Sequence, residues 1–369
     1  MRIAFLHPTY WPEVRRGSER LVHDLAVGLA DRGHDVTLVT SHPGRPRVSE
    51  EDGFRVIRNW RLPYMRPLRW YEDHVANVPF DVWTLWREEF DVAHAFFPAD
   101  AWAAVAARRR FQGPPVGFSI HGIPVRKYLV ERRYRLDMLR TAIDGAAFTT
   151  VLSDAAAEAT RRYLLHQPEV VQGGIVCDDF AIEEPRAVTP TLVCAASLRD
   201  PRKRAELLFD AFARLRERRP DARLVIVRPQ DPLIFSWDAP ERPEGVSWVE
   251  VSDTAALARS YAGAWASVLP AVDEAFGLVL VESLAAGTPV VAARSGACPE
   301  IVTDEAIGRL FEPDDADDLA RAMDEALELG SDPQTGQRCR EHARRFDIWR
   351  AVESFERLYE AATGNGRAP

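Results

Sequence analysis

With 369 residues, the chain has room for two domains of roughly 150–200 residues each. An apolar fraction of 46% and a charged fraction of 28% are typical of a soluble globular protein. The net charge of −9 argues against nucleic acid as the main partner, because neutralising phosphates requires a basic surface.

The cysteines and the hydrophobic segments indicate where the chain resides. The cysteines are widely spaced and include no CxxC pair, which predicts neither a disulfide framework nor a zinc site: Cys177, Cys194, Cys298 and Cys339. The apolar stretch at the N-terminus is too short for a signal peptide, and no run approaches the ~20 apolar residues of a membrane span. We therefore expect a cytoplasmic protein whose only membrane contact would be peripheral, at the inner face.

Two basic clusters interrupt the acidic composition. They are Arg108–Arg110 and the set Arg126, Lys127, Arg132, Arg133 and Arg135. Such clusters are usually solvated helix faces, and the alternative is a surface for an anionic acceptor or a membrane. The sequence leaves both interpretations open.

The first 40 residues predict a strand–helix–strand unit. Arg2–Leu6 is an apolar strand, and Glu19–Asp31 has apolar residues at helical spacing. Gly33 stands where a helix C-cap favours glycine, and Asp35–Thr40 forms the next strand. This order opens a doubly wound parallel sheet. Further strands are predicted at Phe54–Ile57, Val92–His94, Val116–Ile120 and Ala147–Leu152.

The strand–helix alternation restarts near residue 191, which predicts a second doubly wound domain. Its strands are expected at Leu192–Ala196, Leu224–Val227, Trp265–Leu269 and Val290–Ala293, and its helices at Ala205–Glu217, Ala255–Ala262 and Leu278–Ala286. Residues 181–190 are charged and contain two prolines, as linkers do. We expect an N-terminal domain over 1–180, a C-terminal domain over 191–345, and a helix over 346–369 that packs back toward the N-terminal domain.

The segment over residues 60–90 is aromatic, and its elements are not defined by the sequence. It contains Trp60, Tyr64, Trp70, Tyr71, Trp83 and Trp86. Aromatic residues in such a segment more often pack in a core or a lid than stack on a sugar. Both interpretations remain open.

The most informative pattern is Glu274-Ala-Phe-Gly-Leu-Val-Leu-Val-Glu282, which connects a predicted strand to a predicted helix. Pro270 closes the strand, so Glu274 lies in the loop at its carboxyl end, where ligands bind in open α/β sheets. Gly277 opens the helix, whose N–H groups suit a diphosphate. Glu282 lies one turn further, where its carboxylate can accept hydrogen bonds from ribose hydroxyls. The arrangement predicts a nucleotide site.

The stretch Ser260–Gly308, which contains this pattern, resembles the signature of family 4 glycosyltransferases. The resemblance extends to Pro12–Glu19, to His121-Gly122 and to Val170–Phe180, and so covers nearly the whole chain. It implies an α/β protein of the GT-B fold, in which two Rossmann-like, doubly wound parallel-sheet domains face each other across a cleft. It also implies retaining transfer of a sugar from a nucleoside diphosphate, with no metal and no other cofactor.

The resemblance also implies a role for individual residues. Gly17 would let the first loop approach the donor phosphate, since glycine has no Cβ. His121 would orient a hydroxyl of the donor sugar. Lys203 would neutralise the diphosphate leaving group, and Glu274 would hold hydroxyls of the donor sugar. His121, Lys203 and Glu274 are thus the expected catalytic residues.

The resemblance implies further donor-binding residues around the helix that Gly277 opens. Phe276 and Gly277 would offer backbone amides near the sugar or phosphate, with Leu278 beside them, and Glu282 would bind the ribose. The family usually has Gly-Arg ahead of the lysine, whereas this chain has Ser197-Leu198-Arg199. Arg199 is therefore our first candidate for the diphosphate-binding arginine, with Arg202 and Arg204 behind it.

Other positions also depart from the family pattern. Arg16 precedes Gly17 where a second glycine is usual, which adds bulk or a cation near the phosphates. Arg228-Pro229-Gln230 replaces a glycine pair near the base, so UDP- and GDP-type donors both remain open. Gly173-Gly174-Ile175-Val176 stands where Asn-Gly-Val-Asp is usual, with the loss of two polar side chains.

Weaker motifs favour structural roles. Asp315-Ala-Asp317 matches a metal-binding motif of another transferase class, but its place before a helix predicts capping. His7 and His94 lie at strand ends, either as structural residues or facing the site. The chain has no GxGxxG after its first strand and no P-loop, which argues against a nicotinamide oxidoreductase and a P-loop nucleotidase.

Three classes of function remain after these exclusions. The main hypothesis is transfer of a hexose-type sugar to a small-molecule, glycan or lipid-linked acceptor. A sugar-nucleotide epimerase or a phosphorylase on the same fold is the alternative, since fold alone does not decide chemistry. A non-catalytic, lectin-like or regulatory relative is the third class, against which the presence of Glu274, Glu282, Lys203 and His121 argues.

Overall fold

The computed structural model describes residues 1–61, 74–228 and 242–364. The chain divides into two compact units, Met1–Gln172 together with Ile348–Pro369, and Gly173–Asp347. The division thus precedes the domain end expected at residue 180. The segment after Gln172 packs within the second unit, where the Ile175 amide donates to the Phe346 carbonyl at 3.2 Å.

The described part of the first unit contains an eight-stranded sheet in the order β3-β4-β2-β1-β5-β6-β7-β8. The strands are β1 (Arg2–Leu6), β2 (Asp35–His42), β3 (Arg47–Glu51), β4 (Phe54–Trp60), β5 (Val92–Ala95), β6 (Val116–Ile120), β7 (Phe148–Val151) and β8 (Glu169–Val170). The helices are α1 (Gly17–Asp31), α2 (Val78–Arg87), α3 (Pro98–Phe111), α4 (Arg126–Glu131), α5 (Arg133–Gly145) and α6 (Asp154–Leu164). The inner order β4-β2-β1-β5-β6-β7 is that of a Rossmann sheet, and these strands pair in parallel.

The edge strand β3 is an exception to the parallel pairing of this sheet, because it pairs antiparallel with β4. The register places Glu51 opposite Phe54, which leaves Asp52 and Gly53 as a two-residue loop. Both loop residues have positive φ, 47° and 84°, as the hairpin turns that suit twisted strands require. Asp-Gly is a hairpin signal that the strand assignment from sequence did not use.

The described part of the second unit contains a six-stranded parallel sheet in the order β11-β10-β9-β12-β13-β14. The strands are β9 (Thr191–Cys194), β10 (Arg223–Arg228), β11 (Val246–Glu250), β12 (Ala266–Leu269), β13 (Val290–Ala293) and β14 (Gly308–Phe311). The helices are α7 (Ala205–Arg218), α8 (Thr254–Ala262), α9 (Leu278–Ala285), α10 (Cys298–Ile301), α11 (Ala316–Ser331) and α12 (Thr335–Ala343). The winding reverses between β9 and β12, which is the switch point where doubly wound sheets bind ligands.

The C-terminal helix α13 (Ile348–Thr363) belongs to the first unit. Its Glu356 accepts a hydrogen bond from Arg32 Nε at 2.8 Å. The Tyr359 hydroxyl lies 2.6 Å from His94 Nδ1, and His94 Nε2 lies 2.7 Å from the Ser119 hydroxyl. Burial lowers the pKa of His94, so a neutral imidazole connects α13 to β6. His94 therefore has a structural role.

Other expectations concern the cysteines, the membrane and the aromatic segment. All four cysteines are buried and unbridged, as predicted. None of the helices within the described ranges combines the length and the apolar character needed to cross a bilayer. Some residues that the sequence singled out lie outside the described residues: Tyr64, Trp70, Tyr71, Pro229 and Gln230.

Candidate active site

Lys203 and Glu274 meet at the switch point of the second sheet. Lys203 follows β9 and Glu274 follows β12, and these two strands are neighbours. Lys203 Nζ donates to Glu274 Oε1, and the two side chains are only 16% and 14% exposed. Two residues 71 positions apart in the chain thus form a partly buried ion pair where a ligand is expected.

The loop that carries Lys203 is held by its own capping residue and by the neighbouring loop. Pro201–Lys203 forms a 3-10 turn, and the Asp200 side chain accepts a hydrogen bond from the Arg202 amide at 3.0 Å. The Arg202 carbonyl in turn accepts from the Val272 amide at 3.0 Å. This backbone bond joins the two loops, so it fixes how Lys203 approaches Glu274.

The backbone of Glu274 is held by a turn that the sequence analysis missed. The Ala297 amide donates to the Glu274 carbonyl at 2.9 Å. A Cβ on Gly296 would lie 2.5 Å from that carbonyl oxygen, and Gly296 has a positive φ of 55°. Only glycine satisfies both constraints without strain. The signal was available, since Ser295-Gly296-Ala297 follows the strand Val290–Ala293 after a single residue, but nothing local indicates what the turn contacts.

Helix α9 begins at the end of the Glu274 loop. Its N-cap Gly277 has a φ of 98°, a conformation that other residues avoid. The Phe276 ring is buried and packs on Phe346 with the ring centroids 5.8 Å apart. Since this side chain faces the interior, Phe276, Gly277 and Leu278 can offer a ligand mainly backbone amides at the positive end of the helix.

Glu282 lies inside the second unit rather than on its surface. It is 5% exposed, and its Oε2 accepts a hydrogen bond from the Tyr261 hydroxyl at 3.0 Å. Tyr261, on α8, is fully buried. A buried carboxylate needs hydrogen-bond donors, and Tyr261 supplies one that the sequence analysis did not identify.

The three candidate arginines occupy different environments. Arg202 Nη2 donates to Asp200 Oδ2 at 2.6 Å, and Arg204 forms an ion pair with Asp314 at 2.5 Å. Arg199 is exposed on the loop between β9 and the Pro201–Lys203 turn. Carboxylates of the second unit thus engage the guanidinium groups of Arg202 and Arg204.

In the first unit, His121 and Gly17 lie close together in space. Helix α1 begins at Gly17, and the hydroxyl of the next residue, Ser18, lies 2.7 Å from His121 Nδ1. Burial, with a smaller contribution from the charge of His7, lowers the pKa of His121 to about 3. His121 is therefore a neutral group that can exchange hydrogen bonds with a ligand but carries no charge near pH 7.

The motif Asp315-Ala-Asp317 has the structural role that its position predicted. Asp315 is the N-cap of α11, and its side chain accepts from the Asp318 amide at 2.9 Å. Asp317 pairs with Arg214 at 2.6 Å. Within residues 1–61, 74–228 and 242–364, no three His, Cys, Asp or Glu side chains are grouped as a metal would need.

Two family models match the chain in succession. Residues 15–179 match the model "Glycosyltransferase Family 4", and residues 179–346 match "Glycosyl transferases group 1". An MMP alpha-(1->4)-mannosyltransferase of Mycolicibacterium hassiacum is 32% identical, over 96% of this chain and 94% of that protein. The chain belongs to glycosyltransferase family 4. The resemblance inferred from the E-x7-E pattern is thereby confirmed.

Further similarities agree with this family 4 assignment. A phosphatidyl-myo-inositol mannosyltransferase of Mycolicibacterium smegmatis is 28% identical, over 99% of this chain and 95% of that protein. Among solved structures, a sucrose-phosphate synthase from Thermosynechococcus elongatus has a TM-score of 0.82 at 24% identity, and covers 99% of this chain and 100% of that one. The chain is a glycosyltransferase with the two Rossmann-like parallel-sheet domains of the GT-B fold.

Proposed function

We propose that this glycosyltransferase moves a hexose from a nucleoside diphosphate to an acceptor hydroxyl, with retention of the anomeric configuration and without a metal. The observation that carries the proposal is the partly buried Lys203–Glu274 pair beside the start of α9. A nucleoside diphosphate hexose presents both partners that such a pair needs, namely phosphate oxygens for the lysine and hydroxyl donors for the glutamate.

The reaction requires charge stabilisation at the leaving group. As the glycosidic bond to the nucleotide breaks, negative charge builds on the β-phosphate. Lys203 and the backbone amides at Gly277 and Leu278 supply positive charge and dipoles that are already in position. The low exposure of Lys203 strengthens its effect, because little water competes with it.

The division of roles among the other residues follows from their environments. Glu274, once released from Lys203 by the donor, accepts hydrogen bonds from sugar hydroxyls. Glu282 binds the ribose. His121 contacts a hydroxyl of the donor sugar as a neutral group. The two mannosyltransferase relatives support a hexose as the sugar of the donor. The nucleotide of the donor is UDP or GDP.

The proposed reaction is tested by incubating purified protein with UDP- or GDP-hexoses and a panel of glycan and lipid-linked acceptors. We expect a glycosylated product with the donor's anomeric configuration, one nucleoside diphosphate released per transfer, and unchanged turnover in EDTA. If turnover is lost in EDTA and magnesium restores it, the proposal that transfer needs no metal is wrong. Release of sugar phosphate from inorganic phosphate, or isomerised nucleotide sugar without any acceptor, indicates instead the phosphorylase or epimerase alternative.

Glu282→Gln should weaken nucleoside diphosphate binding, because the ribose loses a charged acceptor. We expect a loss of ~1.5–3 kcal/mol, or roughly ten- to hundredfold in Kd, by titration calorimetry. The matched control Glu305→Gln changes an exposed glutamate of the same unit and should leave Kd unchanged. The 2′,3′-dideoxy nucleotide should bind the unchanged protein and Glu282→Gln about equally, because it lacks the ribose hydroxyls. If the ordinary nucleotide also has the same Kd for these two proteins, Glu282 does not bind the ribose.

Arg199→Ala should lower turnover at saturating donor on the order of 10²-fold, close to the effect of Lys203→Ala, because each removes a group that stabilises the leaving phosphate. An arginine can grip two phosphate oxygens at once, which a lysine cannot. Arg218→Ala, an exposed arginine at the end of α7, is the matched control. If Arg202→Ala loses turnover to this extent and Arg199→Ala does not, Arg202 is the residue that binds the diphosphate.

A surface on α2 and α3 supports peripheral contact with a membrane. Trp83 and Trp86 are 57% and 50% exposed, with ring centroids 5.2 Å apart, and Phe111 lies 5.7 Å from Trp86. Arg87 lies over Trp83 and Arg110 over Phe111. We call these five residues the aromatic–arginine patch. Exposed indoles flanked by arginines fit the interface of an anionic lipid surface, which we place at the cytoplasmic face.

A Trp83→Ala/Trp86→Ala variant should bind vesicles of phosphatidylglycerol and phosphatidylcholine on the order of tenfold more weakly than the unchanged chain, as measured by cosedimentation. Vesicles of phosphatidylcholine alone should bind both poorly, because the arginines require anionic lipid. Trp349→Ala removes an exposed tryptophan from α13 and serves as the control. Equal binding by the double variant and the control rules out the patch as the contact.

A further inference from the structure

A chain of short hydrogen bonds leads from the protein interior to His121. His7 Nδ1 lies 2.7 Å from the Thr9 carbonyl oxygen, and His7 Nε2 lies 3.1 Å from Ser18 Oγ. Ser18 Oγ lies 2.7 Å from His121 Nδ1. All four residues belong to the first unit. His7 and Thr9 lie on the loop after β1, Ser18 lies at the start of α1, and His121 follows the last residue of β6.

The direction of these bonds is set at the Thr9 end. A carbonyl oxygen can only accept, so His7 must carry its proton on Nδ1. The Thr9 amide also points toward Nδ1, but at 3.3 Å that contact is much the longer of the two. A bare Nδ1 would place its lone pair against the carbonyl oxygen at 2.7 Å, which is repulsive.

The remaining protons follow from the neutrality of both rings. Burial lowers the pKa of His7 and of His121, so each ring carries one proton near pH 7. With its proton on Nδ1, His7 offers Nε2 as an acceptor, and the Ser18 hydroxyl must donate to it. Ser18 Oγ then accepts from Nδ1–H of His121. His121 Nε2 is left without a hydrogen.

We propose that His7 and Ser18 are positioning residues that hold His121 in its Nδ1–H tautomer, so that Nε2 accepts a hydrogen bond from a hydroxyl of the donor sugar. The proposal rests on the proposed function for the identity of the ligand. It adds a rule of selectivity, since a bare ring nitrogen attracts a hydroxyl but repels a carboxylate oxygen. The other tautomer, with its hydrogen on Nε2, would bind either group.

The selectivity is expected between hexoses and uronic acids. These sugars differ at one carbon, which carries a hydroxymethyl group in the first class and a carboxylate in the second, and the proposal assigns the contact with His121 Nε2 to this position. A nucleoside diphosphate hexose should therefore be accepted, and the matching uronate should be rejected. Ser18 contributes by orienting His121 rather than by touching the donor, so its loss should change selectivity more than it changes turnover of the hexose.

The tautomer can be read without any activity measurement, from two-bond ¹⁵N–¹H spectra of the full-length protein at pH 7. His121 signals are assigned by their loss in His121→Asn. We expect a protonated Nδ1 and a bare Nε2 in the unchanged chain, and a shift toward Nε2–H in Ser18→Ala. Ser119→Ala, which removes the hydroxyl beside the buried His94, should alter His94 signals only. Protonated Nε2 on His121 in the unchanged chain overturns the proposal.

The functional consequence is read as the ratio of kcat/KM for the hexose donor to that for its uronate. Ser18→Ala should lower this ratio about tenfold, as the loss of one oriented hydrogen bond implies. Ser18→Thr keeps the hydroxyl and should restore the ratio, and Ser119→Ala should leave it unchanged. A ratio that stays constant in Ser18→Ala overturns the selectivity rule. If the spectra agree but no donor is turned over, the proposed function fails while the tautomer assignment stands.

Discussion

The second unit depends on one electrostatic constraint, the pairing of the partly buried Lys203 and Glu274 at the switch point between β9 and β12. Removing a charge from water is costly unless a partner or a ligand replaces the water. Each half of the pair is the other's partner, so both charges can stay in a site with little solvent. The backbone bond from Val272 to Arg202 and the turn at Gly296 hold the two loops in the positions that this pairing needs.

Much of this site follows from local sequence, and the part that does not is set by contacts distant in the chain. Strands Val116–Ile120 and Val290–Ala293 have their predicted bounds, because short, mainly apolar runs that are buried in a parallel sheet are distinctive. Glu274 and Glu282 were found by spacing within one loop and helix. Tyr261, Gly296 and Ser18 were missed, since each acts through a residue 21 to 103 positions away.

The departures from the family pattern acquire a physical meaning in the structure. The family's Gly-Arg is replaced by Ser197-Leu198-Arg199, and the nearby Arg202 is held by Asp200, which also caps the turn before Lys203. Asp200 thus shapes the loop and reduces the charge that Arg202 can offer a phosphate. A guanidinium already paired with a carboxylate must lose that pairing before it binds a ligand. This cost counts against Arg202 as the diphosphate-binding residue.

The two units differ in the kind of polar group that each of them presents. The second unit presents charged groups, Lys203 and Glu274, together with the helix start at Gly277, which suit a ligand that carries phosphate. The first unit presents His121 as a neutral ring, because burial suppresses its protonation. A charged imidazole would attract anions of any kind. A neutral imidazole can instead distinguish hydroxyls by hydrogen-bond direction, so an uncharged His121 favours recognition of hydroxyls over binding of anions.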